Sequence, residues 1–209
     1  MKTIRPIGTL VLVTGLALGL SACTGGGDVA PQSPRASATA NQINPVPRDL
    51  LQDGGSFTWP LGLMPSNFNY YELDGSAFDN HLVIAALIPS VFNNTADGTP
   101  VWNRDLLASE PNLTTEPQQV VTYQINPDAL WYDGSSITWE DFYWQWQSCN
   151  GENPLYRNGT MNGFENIELI ERGENDREVI VTFKTPYADW PSLFVPLYPM
   201  STNSDPEIF

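Results

Sequence analysis

An α+β fold is the class this chain predicts, and three local patterns carry the prediction. Residues 131–142 pass from an extended aromatic stretch through an Asp-Gly turn into a helix start. Residues 120–125 and 177–184 read as strands, and residues 79–91 carry the apolar content of a second helix.

The elements follow in chain order. Lys2 and Arg5 precede an apolar run over residues 7–20, the layout of a secretory signal and too short for a membrane-spanning helix. Leu20-Ser21-Ala22-Cys23 closes it, and small residues before a cysteine at the cleavage point resemble a bacterial lipobox. In such a motif Cys23 becomes the lipid-bearing first residue of the mature chain; an ordinary secretory signal with an incidental cysteine is the alternative. Lipid on Cys23 would tether the protein to a membrane while its folded part stays aqueous. The signal therefore spans residues 1–23. Residues 24–54 are rich in Gly, Pro, Ser, Ala, Gln and Asn, with almost no large apolar residue before Leu50, and read as a flexible spacer.

Residues 56–59 start as a strand. Asp79 is placed to cap a helix reaching about Val91, with Leu82, Ile84, Ala85, Ala86, Leu87 and Ile88 as its buried part. Residues 101–107 form a short extended segment, and residues 120–125 alternate as a strand. Strands over 164–172 and 177–184 flank Gly173-Glu174-Asn175-Asp176, whose composition favours a hairpin turn. Residues 190–195 read as a short helix among Pro186, Pro191, Pro196 and Pro199.

The segment Trp131 to Phe142 is the most informative. Gly134 allows the positive φ of a tight turn, and the Asp133 side chain favours the same turn. Thr138 is positioned as N-cap with Asp141 three residues later as its capping-box partner, and Glu140 and Asp141 complement the positive end of the helix. Trp139, Phe142 and Trp146 then share one apolar face.

Those residues resemble a family. An aromatic-x-Asp-Gly turn followed by Thr-x-x-Asp-aromatic at a helix start, with a Trp further along, is similar to the signature of family 5 extracellular solute-binding proteins of ABC importers. Val120-Val121-Thr122-Tyr123-Gln124-Ile125 resembles the strand before it, and Glu178-Val179-Ile180-Val181-Thr182-Phe183 with Pro186-Tyr187 resembles a later segment. The likeness runs over residues 56–200 and is most specific over 129–146. It implies a periplasmic-binding-protein-like class II fold, represented by the N-terminal lobe with an inserted subdomain. By that template residues 55–92 begin the first lobe, 93–199 form the inserted subdomain, and 200–209 return toward the lobe. Members of the family are well over twice this length, so the opposite lobe would lie outside this chain.

The resemblance implies a lipid-anchored extracytoplasmic component of an ABC importer that captures peptides or another extended solute and presents them to the permease, on the periplasmic side or cell surface. Family members place a ligand-facing loop where residues 67–74 lie. There Tyr70 and Tyr71 would offer rings and hydroxyls, and Glu72 a carboxylate for a cationic end; a solvated or core-anchoring loop is the alternative. An envelope lipoprotein of the same fold with a structural or regulatory task is the second reading.

Composition narrows partners. Without Lys2 and Arg5 the chain keeps seven of its nine basic residues against 24 acidic ones, a net charge of −17. Such a surface repels nucleic-acid phosphates and anionic head groups, so no nucleic acid is expected and membrane contact comes through the lipid anchor only. A taste for cationic ligands and plain solubility are both compatible with it. Cys149 and the single His81 make neither a metal set nor a convincing nucleophile, and no cofactor is expected. Glu140 and Asp141 among Trp131, Trp139, Trp144 and Trp146 suggest a glycoside hydrolase only remotely. Consecutive helix residues diverge, and capping already explains both; no catalytic residue is assigned. Three glycosylation sequons, at Asn93, Asn112 and Asn158, are expected in surface loops.

Overall fold

The computed structural model describes residues 46–209. The signal segment, Cys23 and most of the spacer lie outside the described residues. Residues 46–209 fall within one compact unit. Its helices are α1 (Phe78–Ile84), α2 (Trp139–Cys149) and α3 (Met200–Asn203), and its strands are β1 (Phe92–Asn94), β2 (Pro100–Trp102), β3 (Asn112–Thr114), β4 (Val120–Gln124), β5 (Ile167–Arg172) and β6 (Glu178–Phe183).

The alternation expected over 120–125 and 177–184 becomes the centre of a four-stranded antiparallel sheet, ordered β3-β4-β6-β5. Val121 pairs with Val181 and Tyr123 with Val179, so both strands send their apolar residues to one face. The expected hairpin joins β5 to β6, closed by the Gly173 amide on the Glu178 carbonyl and by an Arg172–Asp176 ion pair at 2.6 Å. β1 and β2 form a separate hairpin.

α2 covers the buried face. Phe142, Trp146 and Cys149 are buried, and Phe142 lies 5.6 Å from Tyr123 and 4.8 Å from Phe194 between ring centroids. Phe164 meets Phe194 edge-on at 5.4 Å. This aromatic centre holds Phe194 at a left-handed φ of 57°, a conformation a bulky residue keeps only when packing dictates it.

Several expectations are corrected. Residues 56–59 are not a strand: Phe57 and Trp59 are 81% and 58% exposed, and no strand of the described residues pairs with them. The helix expected over 79–91 is only Phe78–Ile84, followed by turns over residues 85–87, and Pro89 further disfavours helical backbone at the residue before it. Its N-cap is Ala77, and Asp79 instead accepts the Leu63 amide at 2.6 Å. Ile84 is buried as expected, but Ala85, Ala86 and Leu87 lie beyond the helix and are exposed. The extended run over 101–107 stops at Trp102 and turns, with Leu107 bridging Ile125. The strand expected from Phe164 begins at Ile167 after a 3-10 turn, and the helix expected over 190–195 is a 3-10 turn at Trp190–Ser192. Asn93 and Asn112 sit on strands and Asn158 in a bridge with Glu72, not in loops.

Residues 69–92 do not stand apart from the residues after them. Tyr71, Ile84, Val91 and Phe92 belong to the same core as Phe142 and Phe194. The Gly159 amide donates to the Tyr71 carbonyl, and the Val91 amide to the Phe194 carbonyl.

Candidate functional site

The turn at 131–135 behaves as its residues require. Gly134 takes a φ of 85° and its amide donates to the Trp131 carbonyl at 2.9 Å. Asp133 Oδ1 accepts both the Ser135 hydroxyl at 2.6 Å and the Ser135 amide at 2.9 Å. Those donors, the hydroxyl foremost, hold the Asp133 carboxyl below the usual carboxylate range. Tyr132 at the turn's tip is fully exposed.

The helix start is a capping box. Thr138 Oγ1 accepts the Glu140 amide at 3.3 Å, and Asp141 Oδ2 accepts the Thr138 amide at 2.8 Å. Asp141 does more than its sequence position announces. Its Oδ2 also accepts the Trp131 indole N–H at 3.4 Å, and its Oδ1 accepts the Met200 amide at 2.7 Å. One buried carboxylate therefore ties the turn, α2 and α3 together. Burial pushes its pKa up against the opposing pull of these donors. With both oxygens occupied by N–H groups, Asp141 is a structural anchor.

Two further anchors escaped sequence reasoning. The Arg177 guanidinium donates to the carbonyls of Asn126, Pro127, Ala129 and Ile137 and to Ser136 Oγ, over 2.8–3.3 Å. It fixes the loop between β4 and α2 from inside. Gln145 is fully buried; its Nε2 donates to the Pro196 carbonyl at 3.0 Å and its Oε1 accepts the Tyr198 amide at 2.8 Å. Tyr198 passes the constraint on, its hydroxyl donating to the Phe68 carbonyl at 2.7 Å and accepting the Tyr70 amide at 2.9 Å. An Arg after a hairpin and a Gln inside an aromatic helix carry no local signal of such roles, because their partners lie on other segments.

The trio Tyr70, Tyr71 and Glu72 is placed inward. Tyr71 is buried between Phe164 at 5.6 Å and Tyr198 at 6.2 Å. Glu72, also buried, accepts the amides of Asp74 and Gly75 and pairs with Arg157 at 3.4 Å. Gly75 sits so close to the Asn69 carbonyl that a Cβ would fall 1.9 Å from its oxygen, which fixes this tight loop as glycine-only. Tyr70 is half-buried with its ring 5.2 Å from His81. The core-anchoring alternative describes Tyr71 and Glu72. His81 packs, and Cys149 is fully buried with its thiol pushed up to about 12 by burial.

These anchors frame a depression of about 1140 Å³. Its walls come from residues 67–69 and 84–90, from Asn93, Asn103, Asp105 and Leu106, from most of the 128–137 loop, and from Tyr198, Pro199, Ser201, Thr202 and Ile208. Trp131, Tyr132 and Asp133 of the signature segment line it, as does Phe68. The signature is thus both a structural motif and part of a concave wall, while Tyr71 and Glu72 stand behind that wall.

No family model matches the chain. Among curated proteins it is similar to the oligopeptide-binding protein OppA of Mycobacterium tuberculosis, 34% identical over 202 residues, which is 93% of this chain and 34% of that protein. It is also similar to the "Probable monoacyl phosphatidylinositol tetramannoside-binding protein LpqW" of Mycobacterium tuberculosis, 28% identical over 84% of this chain and 27% of that protein. Among solved structures it resembles the periplasmic EDTA-binding protein EppA, with a TM-score of 0.62 and 34% identity over 65% of this chain and 26% of that one. The chain therefore spans about a third of the length of the curated relatives it matches.

Proposed function

The chain belongs to the family 5 extracellular solute-binding proteins, corresponding to their amino-terminal portion and sharing their class II binding-protein fold, and from that premise we propose that it supplies one wall of a peptide-capturing site. In this reading the protein is extracytoplasmic, held to the membrane by lipid on Cys23, and hands its solute to an ABC permease. The observation that carries it is the 34% identity to an oligopeptide-binding protein across 93% of the chain.

Capture of this kind is noncovalent. Aromatic faces at Trp131, Tyr132 and Phe68 supply apolar contact, and the polar side chains and backbone around them supply hydrogen bonds. The carboxylates of Asp133 and Asp141 in the signature segment are engaged in turn and cap geometry. Residues 24–54 serve as the spacer between anchor and wall.

A second reading follows from the LpqW likeness: an envelope lipoprotein of the same fold whose solute is a glycolipid and whose task is structural or regulatory. The two part on ligand. The protein as its gene encodes it, heated with a random peptide library, should gain thermal stability, because a ligand at a hundred times its Kd adds about 2.7 kcal/mol to the folded state. If no peptide raises the melting temperature while a mannosylated phosphatidylinositol does, the second reading replaces the first.

A further inference from the structure

We propose that Asn162 is a site of spontaneous covalent modification, where the backbone converts the side-chain amide to aspartate and isoaspartate, and that the fold confines this chemistry to one of three candidate positions. Asn-Gly pairs stand at residues 150–151, 158–159 and 162–163. Such a pair is reactive because glycine has no side chain to shield its amide nitrogen or to restrict its φ and ψ. The inference is independent of the solute-binding reading.

The reaction needs only water. The Gly163 amide nitrogen attacks Cγ of Asn162 and forms a succinimide ring; the bond from Cγ to the side-chain nitrogen breaks, and ammonia leaves with the proton that the amide gives up. Water then opens the ring at either carbonyl. Cleavage of the new Cγ–N bond leaves aspartate. Cleavage of the original peptide C–N bond leaves isoaspartate, whose chain runs through the side chain and is one methylene longer.

The structure separates the three pairs. At the second, the Gly159 amide is already engaged, donating to the Tyr71 carbonyl at 2.8 Å, and Asn158 bridges Glu72. A Cβ on Gly159 would fall 2.6 Å from that of Ser76, so this backbone has no room to rotate into the attack. At the first, Asn150 is 7% exposed and closes α2, with its own amide on the Trp146 carbonyl at 2.9 Å and its Oδ1 accepting the Glu152 amide at 2.9 Å. Asn162 differs on each count. It is exposed, and among the described residues neither its carboxamide nor the Gly163 amide makes a hydrogen bond. It lies outside the strands and α-helices, in a turn closed by the Phe164 amide on the Met161 carbonyl at 3.0 Å, so the opening that admits attack is local.

The products alter two neighbourhoods. Asn162 lines a second depression, of about 670 Å³, together with Glu165 and Asp189, and either product adds a carboxylate there. Gly163 packs so closely on Tyr187 that a Cβ would fall 2.7 Å from its ring, and the next residue is Phe164, which meets Tyr71 and Phe194 in the core. The extra methylene of isoaspartate therefore strains a turn that leads directly into the aromatic centre.

The test is peptide mapping by mass spectrometry, with fragmentation that distinguishes aspartate from isoaspartate, on folded protein and on protein in concentrated urea, both held in mildly alkaline buffer. In the folded protein Asn162 should convert about tenfold faster than Asn150 or Asn158, and in urea the three rates should converge. Asn162→Gln, at an exposed side chain without a partner, should abolish conversion at that position and leave the other two slow. Equal rates at the three positions in the folded protein, or an unchanged Asn162 once the urea sample has converted, would overturn the proposal. The same tenfold ranking in urea would assign the selection to local sequence and overturn the role given to the fold.

Discussion

Asp141 shows how one side chain serves three segments. Its two oxygens accept the amides of Thr138 and Met200 and the Trp131 indole N–H. Asp141→Ala should therefore cost about 2–4 kcal/mol in urea unfolding, since it strands buried donors as well as removing a capping box. Asp141→Asn should not restore it, because an amide nitrogen would face an N–H donor. Cys149 makes a prediction of a different kind. Its thiol rises from 9.0 to about 12 on folding, so the folded state excludes the thiolate. Its contribution to stability is complete below pH 9 and is lost as pH climbs toward 12, at about 1.4 kcal/mol per pH unit. The buried hydroxyls of Tyr71, Tyr123 and Tyr198, all pushed up by burial, act in the same direction. Native protein should resist iodoacetamide at Cys149 at pH 8, and unfolded protein should react quickly. At this scale the Thr138–Asp141 box was legible in sequence because its partners lie within three residues. The inward fate of Tyr71 and Glu72 was not, because Phe164, Tyr198 and Arg157 come from far along the chain.

Among elements, the loop between β4 and α2 depends on a residue from neither. Arg177 reaches it from the turn just before β6 through five hydrogen bonds to four carbonyls and one hydroxyl. Arg177→Met should cost about 2 kcal/mol and weaken solute binding more than its stability loss explains, since the loop lines the depression. Calorimetric titration beside chemical unfolding separates the two effects. The hairpin of β5 and β6 and the whole of α2 were readable, because turn chemistry and helix capping are written over a few adjacent residues. α1 was overextended in sequence because apolar content alone does not mark where a helix stops, and the chain turns after Ile84 before it reaches Pro89. The run at 56–59 has strand composition without a partner strand, and pairing is a property of two segments.

For the whole molecule, the expected division at residue 92 meets a continuous core. Tyr71, Val91 and Phe92 pack with Phe142 and Phe194. Hydrogen exchange should thus be slow at Tyr71 and at Val91, whose amide donates to the Phe194 carbonyl, and fast over residues 51–62, where no backbone amide donates to another backbone group among the described residues. Equal protection of the two segments would contradict this organisation. The α+β class was visible in the chain's periodicities, and the family in one twelve-residue segment. The concave wall was not, because it is assembled from several segments whose order in sequence says nothing of their adjacency.

The central claim is that this wall faces the solute. Hydrogen exchange of the protein as its gene encodes it, with and without a stabilising peptide, tests it most directly. Slowed exchange confined to residues 84–90, 103–106 and 128–137 is the predicted result. A bound peptide that leaves those segments unchanged, protecting the β3 edge instead, would contradict it.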